Sequence, residues 1–317
     1  MPDVPHRPTD LRTQLAAREL VVVTGKGGVG KSAVAAALAR LLSSLPRTHR
    51  VLVLEVDPRE NLHQLLGVQP SGGDLVDAGG GLMLQNLKPT DVLDRIVIER
   101  LKLEAVARRV LDSPVYQQFA QGAPGLKEVA VLGHALRMIR GVDPVARADP
   151  FDVVVLDAPA TGHGVSLLTA PGLLADVIEQ GPVGEMGAEL AGWVADPARV
   201  GVAVVTTPEE MPVHEALELE ERLGRELGRG AELLVVNSVY PPLEDADPGE
   251  GASEGERRLL DLWARRRHLQ EREMERLEGA WGAKPKVHLP RLPEGRGPEL
   301  VRRLATCLSR ELTGVAA

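Results

Sequence analysis

The chain has 317 residues, 44% of them hydrophobic, a formal net charge of −8 and one cysteine, Cys307. That length allows a large buried core, and the acidic balance gives no electrostatic reason to expect a nucleic-acid or anionic-membrane partner. The lone cysteine excludes an internal disulfide framework, 2% aromatic content disfavours a stacking platform for single strands, and no apolar run reaches the roughly 18 residues a membrane span needs.

Residues 1–19 read as a polar lead-in with one short helix carrying Leu11, Leu15 and Ala16; nothing there has the basic-then-apolar pattern of a secretory leader, so a cytoplasmic chain is expected. A β-branched run, Val21-Val22-Val23, then meets Gly25-Lys26-Gly27-Gly28-Val29-Gly30-Lys31-Ser32, and Ala33 to Arg40 follows as a helix. Strand, G-x-x-x-x-G-K-[ST] loop and helix together make a phosphate-binding P-loop. Backbone amides of Gly27, Gly28, Val29, Gly30, Lys31, Ser32 and Ala33 would surround the phosphates at a helix N-terminus. Lys31 would reach the β- and γ-phosphates and Ser32 would ligate Mg²⁺. Lys26 has no such role toward its own phosphates. It is either a solvated lysine or one that reaches the nucleotide of a facing subunit, as an arginine finger does.

Further apolar runs follow at Val51–Val56, Phe151–Asp157, Val200–Thr206 and Leu233–Asn237, with a shorter one at Lys286–Leu289. Such runs, alternating with helical stretches, predict a doubly wound, mostly parallel α/β sheet. Residues 90–148 hold two or three helices, and residues 172–198 add more, broken by Gly181, Gly184, Gly187 and Gly192. Both read as a helical insert on a single domain spanning 1–317, most of their apolar positions being core. Glu244 to Glu256 reads as an acidic mobile loop.

Two strand ends carry aspartate. Asp157 is the better Walker B carboxylate, holding Mg²⁺ through water. Asp57 is then free to orient and deprotonate the attacking water. Either aspartate could instead cap a helix. Asn237 could pair with a purine edge, and the absence of a neighbouring carboxylate favours ATP over GTP. The C-terminal helix, Glu299 to Leu312, carries Leu300, Val301, Leu304, Leu308 and Leu312 on one stripe. Packing on the parent domain is the preferred reading and peripheral membrane contact the alternative.

The Lys-Gly-Gly-Val-Gly-Lys-Ser loop with Lys26 resembles the deviant Walker A of the ATPases that include MinD, ParA, nitrogenase iron protein and the ArsA/GET branch. Asp57-Pro58, Asp157…Thr161-Gly162-His163, Thr207-Pro208-Glu209-Glu210-Met211-Pro212 and Asn237 resemble that last branch, over Leu20 to about Leu312. The resemblance implies a nucleotide-clamped dimer, homodimer or paralogous heterodimer, with Lys26 as the intermonomer lysine. Switch I would contain the base Asp57 and Asn61, and switch II would run from Asp157 through Thr161, Gly162 and His163. Asn237 would contact adenine, with Pro290 and Leu292 in a turn near the base.

The departures concern the cargo. Switch II reads Asp-Ala-Pro-Ala-Thr-Gly-His, its proline one place earlier than is usual in the family. The cysteines of arsenite ATPases are missing, and Leu260 and Trp263 stand where eukaryotic targeting factors carry zinc cysteines. Met138 and Met186 are the only methionines of the two helical regions. The expected function is an ATP-hydrolysing dimeric switch that captures or releases an unidentified client protein. The alternatives are an oxyanion-pump subunit, a MinD- or ParA-like positioning ATPase and a catalytically quiet nucleotide-bound scaffold.

Overall fold

The computed structural model describes residues 10–314 except 47, 49, 58, 102–103, 143–148, 160–162, 179, 181 and 243–252. Helix α1 (Leu11–Ala16) precedes β1 (Leu20–Thr24), α2 (Lys31–Ser43), β2 (Val51–Glu55) and α3 (Leu62–Leu66). A short pair follows, β3 (Val76–Asp77) and β4 (Leu82–Asn86), then α4 (Pro89–Leu101), α5 (Glu104–Leu111), α6 (Pro114–Gly122) and α7 (Leu126–Arg140). Next come β5 (Val153–Asp157), α8 (His163–Val177), α9 (Pro182–Ala195), β6 (Val200–Thr206) and α10 (Glu210–Leu227). The chain closes with β7 (Leu233–Val239), α11 (Glu254–Trp281), β8 (Lys286–Pro290) and α12 (Pro298–Gly314).

Among the described residues the strands form one eight-stranded sheet in the order β3-β4-β2-β5-β1-β6-β7-β8, and only β3 runs antiparallel, against β4. The expected doubly wound, mostly parallel α/β fold is therefore the observed one. Alternate residues of β1 feed two cores: Leu20 and Val22 join the one with α7, α8 and α9, and Val21 and Val23 the one with α2 and α12. A strand covered on both faces has no position for a polar side chain except its ends, which explains the unbroken apolar runs. β1 pairs with β5 on one side and β6 on the other, so the loop after β1 opens at the point where strand order reverses.

Several expectations are corrected. The pair β3 and β4 escapes the pattern because three apolar residues behind a Gly79-Gly80-Gly81 turn look like loop. Among the described residues, 89–140 hold four helices, not two or three. Val129, Leu132, Leu136 and Met138 are core, whereas Val106 is exposed, so Met138 does not belong to a client surface. Helix α8 begins before Pro171 and contains it. Helix α9 runs unbroken through Gly184, Gly187 and Gly192, while Gly181 lies outside the described residues. Gly187 is a contact, not a break: a Cβ there would sit 3.1 Å from the Ala175 amide nitrogen and 3.2 Å from the Pro171 carbonyl.

Most of the acidic stretch at 244–256 lies outside the described residues, but its last three residues open α11. Ser253 caps that helix in a reciprocal capping box with Glu256, whose S-x-x-E spacing is readable in the sequence. In α12, Val301, Leu304, Leu308 and Leu312 are buried in the α2 core. The stripe is occupied by the parent domain and is not available to a membrane. Among the described residues no helix is long and apolar enough to cross one.

Replacing Gly187 by valine would force α8 and α9 apart. Unfolding in urea should show a loss of about 1–3 kcal/mol, and an unchanged midpoint would refute the close contact.

Candidate nucleotide site

The loop after β1 has positions that only glycine fits: at Gly25, φ +145°, a Cβ would collide with the Val205 carbonyl oxygen, and Gly30 is the second. Gly30 caps α2 at φ +90°, and a Cβ on it would collide with the Asn237 side-chain amide nitrogen. That nitrogen donates to the Val29 carbonyl at 2.8 Å, a buried bond tying the loop to the end of β7. Gly30 offers no side chain to cap α2, so its first-turn amides remain open to a ligand. Lys31 is buried and donates to the Lys26 carbonyl at 2.9 Å, folded back across the loop. Burial lowers its pKa, against the opposing pull of Asp157 and Asp57.

A cavity of about 610 Å³ opens over this loop. It brings together Gly28, Gly30, Lys31, Ser32, Ala33, Asn61, Asn237, Pro290 and Leu292, as the sequence leads one to expect. Residues not anticipated also line it: Gln64 and Leu65 of α3, Ser238, Arg291, Arg296, and Leu300 and Leu304 of α12. Ser238 stands at φ +61°, the one described non-glycine residue with positive φ, where the β7–β8 register shifts between Val236 and Val239. Buried Gln270 of α11 holds this irregularity, donating to the Ser238 carbonyl at 3.2 Å and accepting from the Tyr240 amide at 2.8 Å. The bulge turns Asn237 and Ser238 toward the cavity.

Asp157 ends β5 beside the loop. Burial pushes its pKa up to about 7, opposed by a hydrogen bond with Ser32 and by Lys31, and reinforced by Glu55 and Asp57. Its Oδ1 is buried without a hydrogen-bond partner. An orphaned buried carboxylate oxygen next to a serine hydroxyl offers the oxygen ligands that a hydrated Mg²⁺ takes, so these residues fit the expected ion.

Other expected residues lie apart. Asp57 lines a different cavity, with Val56, Leu87, Val131, Pro159 and Leu167, and its Oδ1 accepts from the Arg59 amide at 2.8 Å. Gly27 and Lys26 line a third cavity against α10. Lys26 is partly exposed, and its Nζ pairs with Glu215 Oε1 of α10 at 2.5 Å. Thr161 and Gly162 lie outside the described residues; His163 opens α8. Trp263 already packs edge-on against Tyr240, with centroids 4.7 Å apart. A buried polar group around Glu55 and Asn86 lies beside Asp57. Glu55 is visible in the sequence as the one charged residue in the Val51–Val56 run; Asn86 carries no such signal.

Replacing Asn237 by alanine leaves the Val29 carbonyl buried and unpaired. A stability loss of about 1–3 kcal/mol together with weaker nucleotide binding, measured by urea unfolding and fluorescent-nucleotide titration, is the expected result.

A family model described as anion-transporting ATPase matches residues 18–187, more than half of the chain. The relative named ATPase BagA, from Mycobacterium tuberculosis, is 31% identical over 77% of this chain and 72% of its own length. The arsenical pump-driving ATPase of Escherichia coli is 26% identical over 70% of this chain but only 40% of its own length. The ATPase ASNA1 homolog of Dictyostelium discoideum is 28% identical over 49% of this chain and 42% of its own. With its P-loop, strand-end aspartate and sheet order in place, the chain belongs to the anion-transporting ATPase family, the ArsA/GET group of P-loop ATPases.

Proposed function

We propose that this chain binds Mg·ATP in the cavity over Gly28 to Ala33 and hydrolyses it as one half of a nucleotide-clamped pair in the cytoplasm. The observation that carries this reading is the unpartnered Asp157 Oδ1 beside Ser32 and Lys31. Lys31 exchanges the Lys26 carbonyl for the β- and γ-phosphates, and the open amides of α2 receive the phosphate oxygens. Ser32 and Asp157 would hold Mg²⁺, which would supply charge neutralisation on the phosphates. Asp57 turns from the Arg59 amide to orient the attacking water and accept its proton.

The base is adenine in this reading. The Asn237 nitrogen is already engaged with Val29, leaving Oδ1 as a free acceptor. An acceptor suits the exocyclic amine of adenine and repels the carbonyl of guanine. Pro290, Leu292, Leu300 and Leu304 give the ring apolar walls.

Lys26 acts on the nucleotide of a second subunit, of the same or a paralogous chain. To do so it leaves Glu215. Both side chains are about a third exposed (31% and 37%), and a pair so exposed contributes about 1 kcal/mol or less, so a triphosphate competes for the lysine easily. Closure of the pair would then rearrange helices α4 to α9 around switch II and time the capture or release of a client protein. A metalloid-pump reading lacks its donor set, since the single cysteine, Cys307, is half-buried on α12.

Turnover measured by phosphate release should fall about 100-fold or more in Asp57→Asn, with ATP still bound; unchanged turnover refutes the base assignment. Light scattering with a non-hydrolysable ATP analogue and Mg²⁺ should show a doubled mass for the native chain and a monomer for Lys26→Ala. A native chain that stays monomeric refutes the clamp.

A further inference from the structure

Glu55 is the conspicuous group that the proposed hydrolysis does not use. It ends β2 with 1% of its surface exposed, one residue from switch I and across from Asp157 in the β2–β5 register. Burying a carboxylate costs several kcal/mol unless hydrogen bonds satisfy it, and an apolar residue would continue the strand without that cost. Burial raises its pKa, with hydrogen bonds from Asn61, Asn86 and Leu62 opposing the shift.

Those bonds have one direction in common. Glu55 Oε1 accepts from the Asn61 amide at 2.8 Å and the Leu62 amide at 3.3 Å. Glu55 Oε2 accepts from Asn86 Nδ2 at 3.3 Å, and the same nitrogen donates to the Asp57 carbonyl at 2.9 Å. Asn86 comes from β4, paired with Glu55 in register. Asp57 is thus held from one side and Asn61 from the other, both referred to a single buried carboxylate in the sheet.

We infer that Glu55 and Asn86 are positioning residues for Asp57, fixing the backbone at its carbonyl and again at the Asn61 and Leu62 amides so that its carboxylate can meet the attacking water. The inference rests on the reading of Asp57 as the base. Neither residue touches the reacting atoms; they act through the main chain. The Asn86 amide cannot flip to compensate for a change at Glu55, because its oxygen would then face the Asp57 carbonyl.

The test is Glu55→Gln, nearly the same size and shape. The glutamine oxygen still accepts from Asn61, but its nitrogen faces the Asn86 nitrogen, donor against donor. ATP turnover should lose about 10- to 100-fold in kcat, the range that a misplaced reacting group produces, while KM for ATP stays within about twofold. Amide hydrogen exchange at Asn61 and Leu62 should accelerate in the nucleotide-free protein. Asn86→Ala should reproduce the kcat loss.

A merely structural role predicts something else: a lower urea midpoint, with turnover scaling with folded fraction and no split between kcat and KM. That outcome overturns the inference, as does unchanged kcat with unchanged exchange while Asp57→Asn is inactive. If Asp57→Asn turns over normally, the base reading itself falls and takes the positioning role with it. The exchange at Asn61 and Leu62 then reports separately whether Glu55 holds the segment.

Discussion

The hydrogen bond from the Asn237 side chain to the Val29 carbonyl is the contact on which the site depends. It fixes the glycine-rich loop against the end of β7. The close approach it imposes is why residue 30 must lack a Cβ. Because the loop is held there, α2 points its open amides into the cavity and Lys31 arrives beside Asp157. The β7 irregularity at Ser238, clamped by Gln270, is what brings a strand-end amide to that position.

Around this anchor the sheet concentrates charge at one edge. Both faces are buried, so Glu55, Asp57 and Asp157 can only lie at the C-terminal ends of β2 and β5, with Lys31 between them and the cavity. Three carboxylates near one lysine explain why burial and mutual repulsion raise Asp157, and why its unpartnered oxygen suits a cation. Polar contacts continue outward from there: Glu60 accepts from the Ser71 and Gly72 amides. Gln85 bonds the Gly73 carbonyl at 2.8 Å and faces His134 of α7 at 2.8 Å. The segment bearing Asp57 is therefore linked to the β3–β4 region through Glu55–Asn86 and Glu60, and β4 to α7 through Gln85 and His134.

What is legible in the sequence is local. Apolar runs of β-branched residues mark β1, β2, β5, β6 and β7, because a strand buried on both faces must be apolar throughout. Strand β4 does not stand out, since it follows directly on a glycine turn and ends in Gln85 and Asn86. The P-loop is legible because its strand, glycines, lysine, serine and helix are contiguous. The glycines in α9 mislead, since glycine marks a helix end and a tight helix–helix contact equally well, and only the neighbouring Pro171 and Ala175 distinguish the two.

The sequence by itself determined the family and the parallel α/β sheet, and it proposed candidates for phosphate, metal and proton chemistry, because the P-loop and the apolar strand runs are patterns of neighbours along the chain. The tertiary structure alone decided which of them are restrained and by what. Lys26 meets Glu215, 189 residues away, Asn237 meets Val29, 208 away, and Asn86 meets Glu55, 31 away. Hydrogen bonds and ion pairs between side chains so far apart leave no periodicity to read. They exist only once the two buried faces of the sheet have set which strand ends lie side by side.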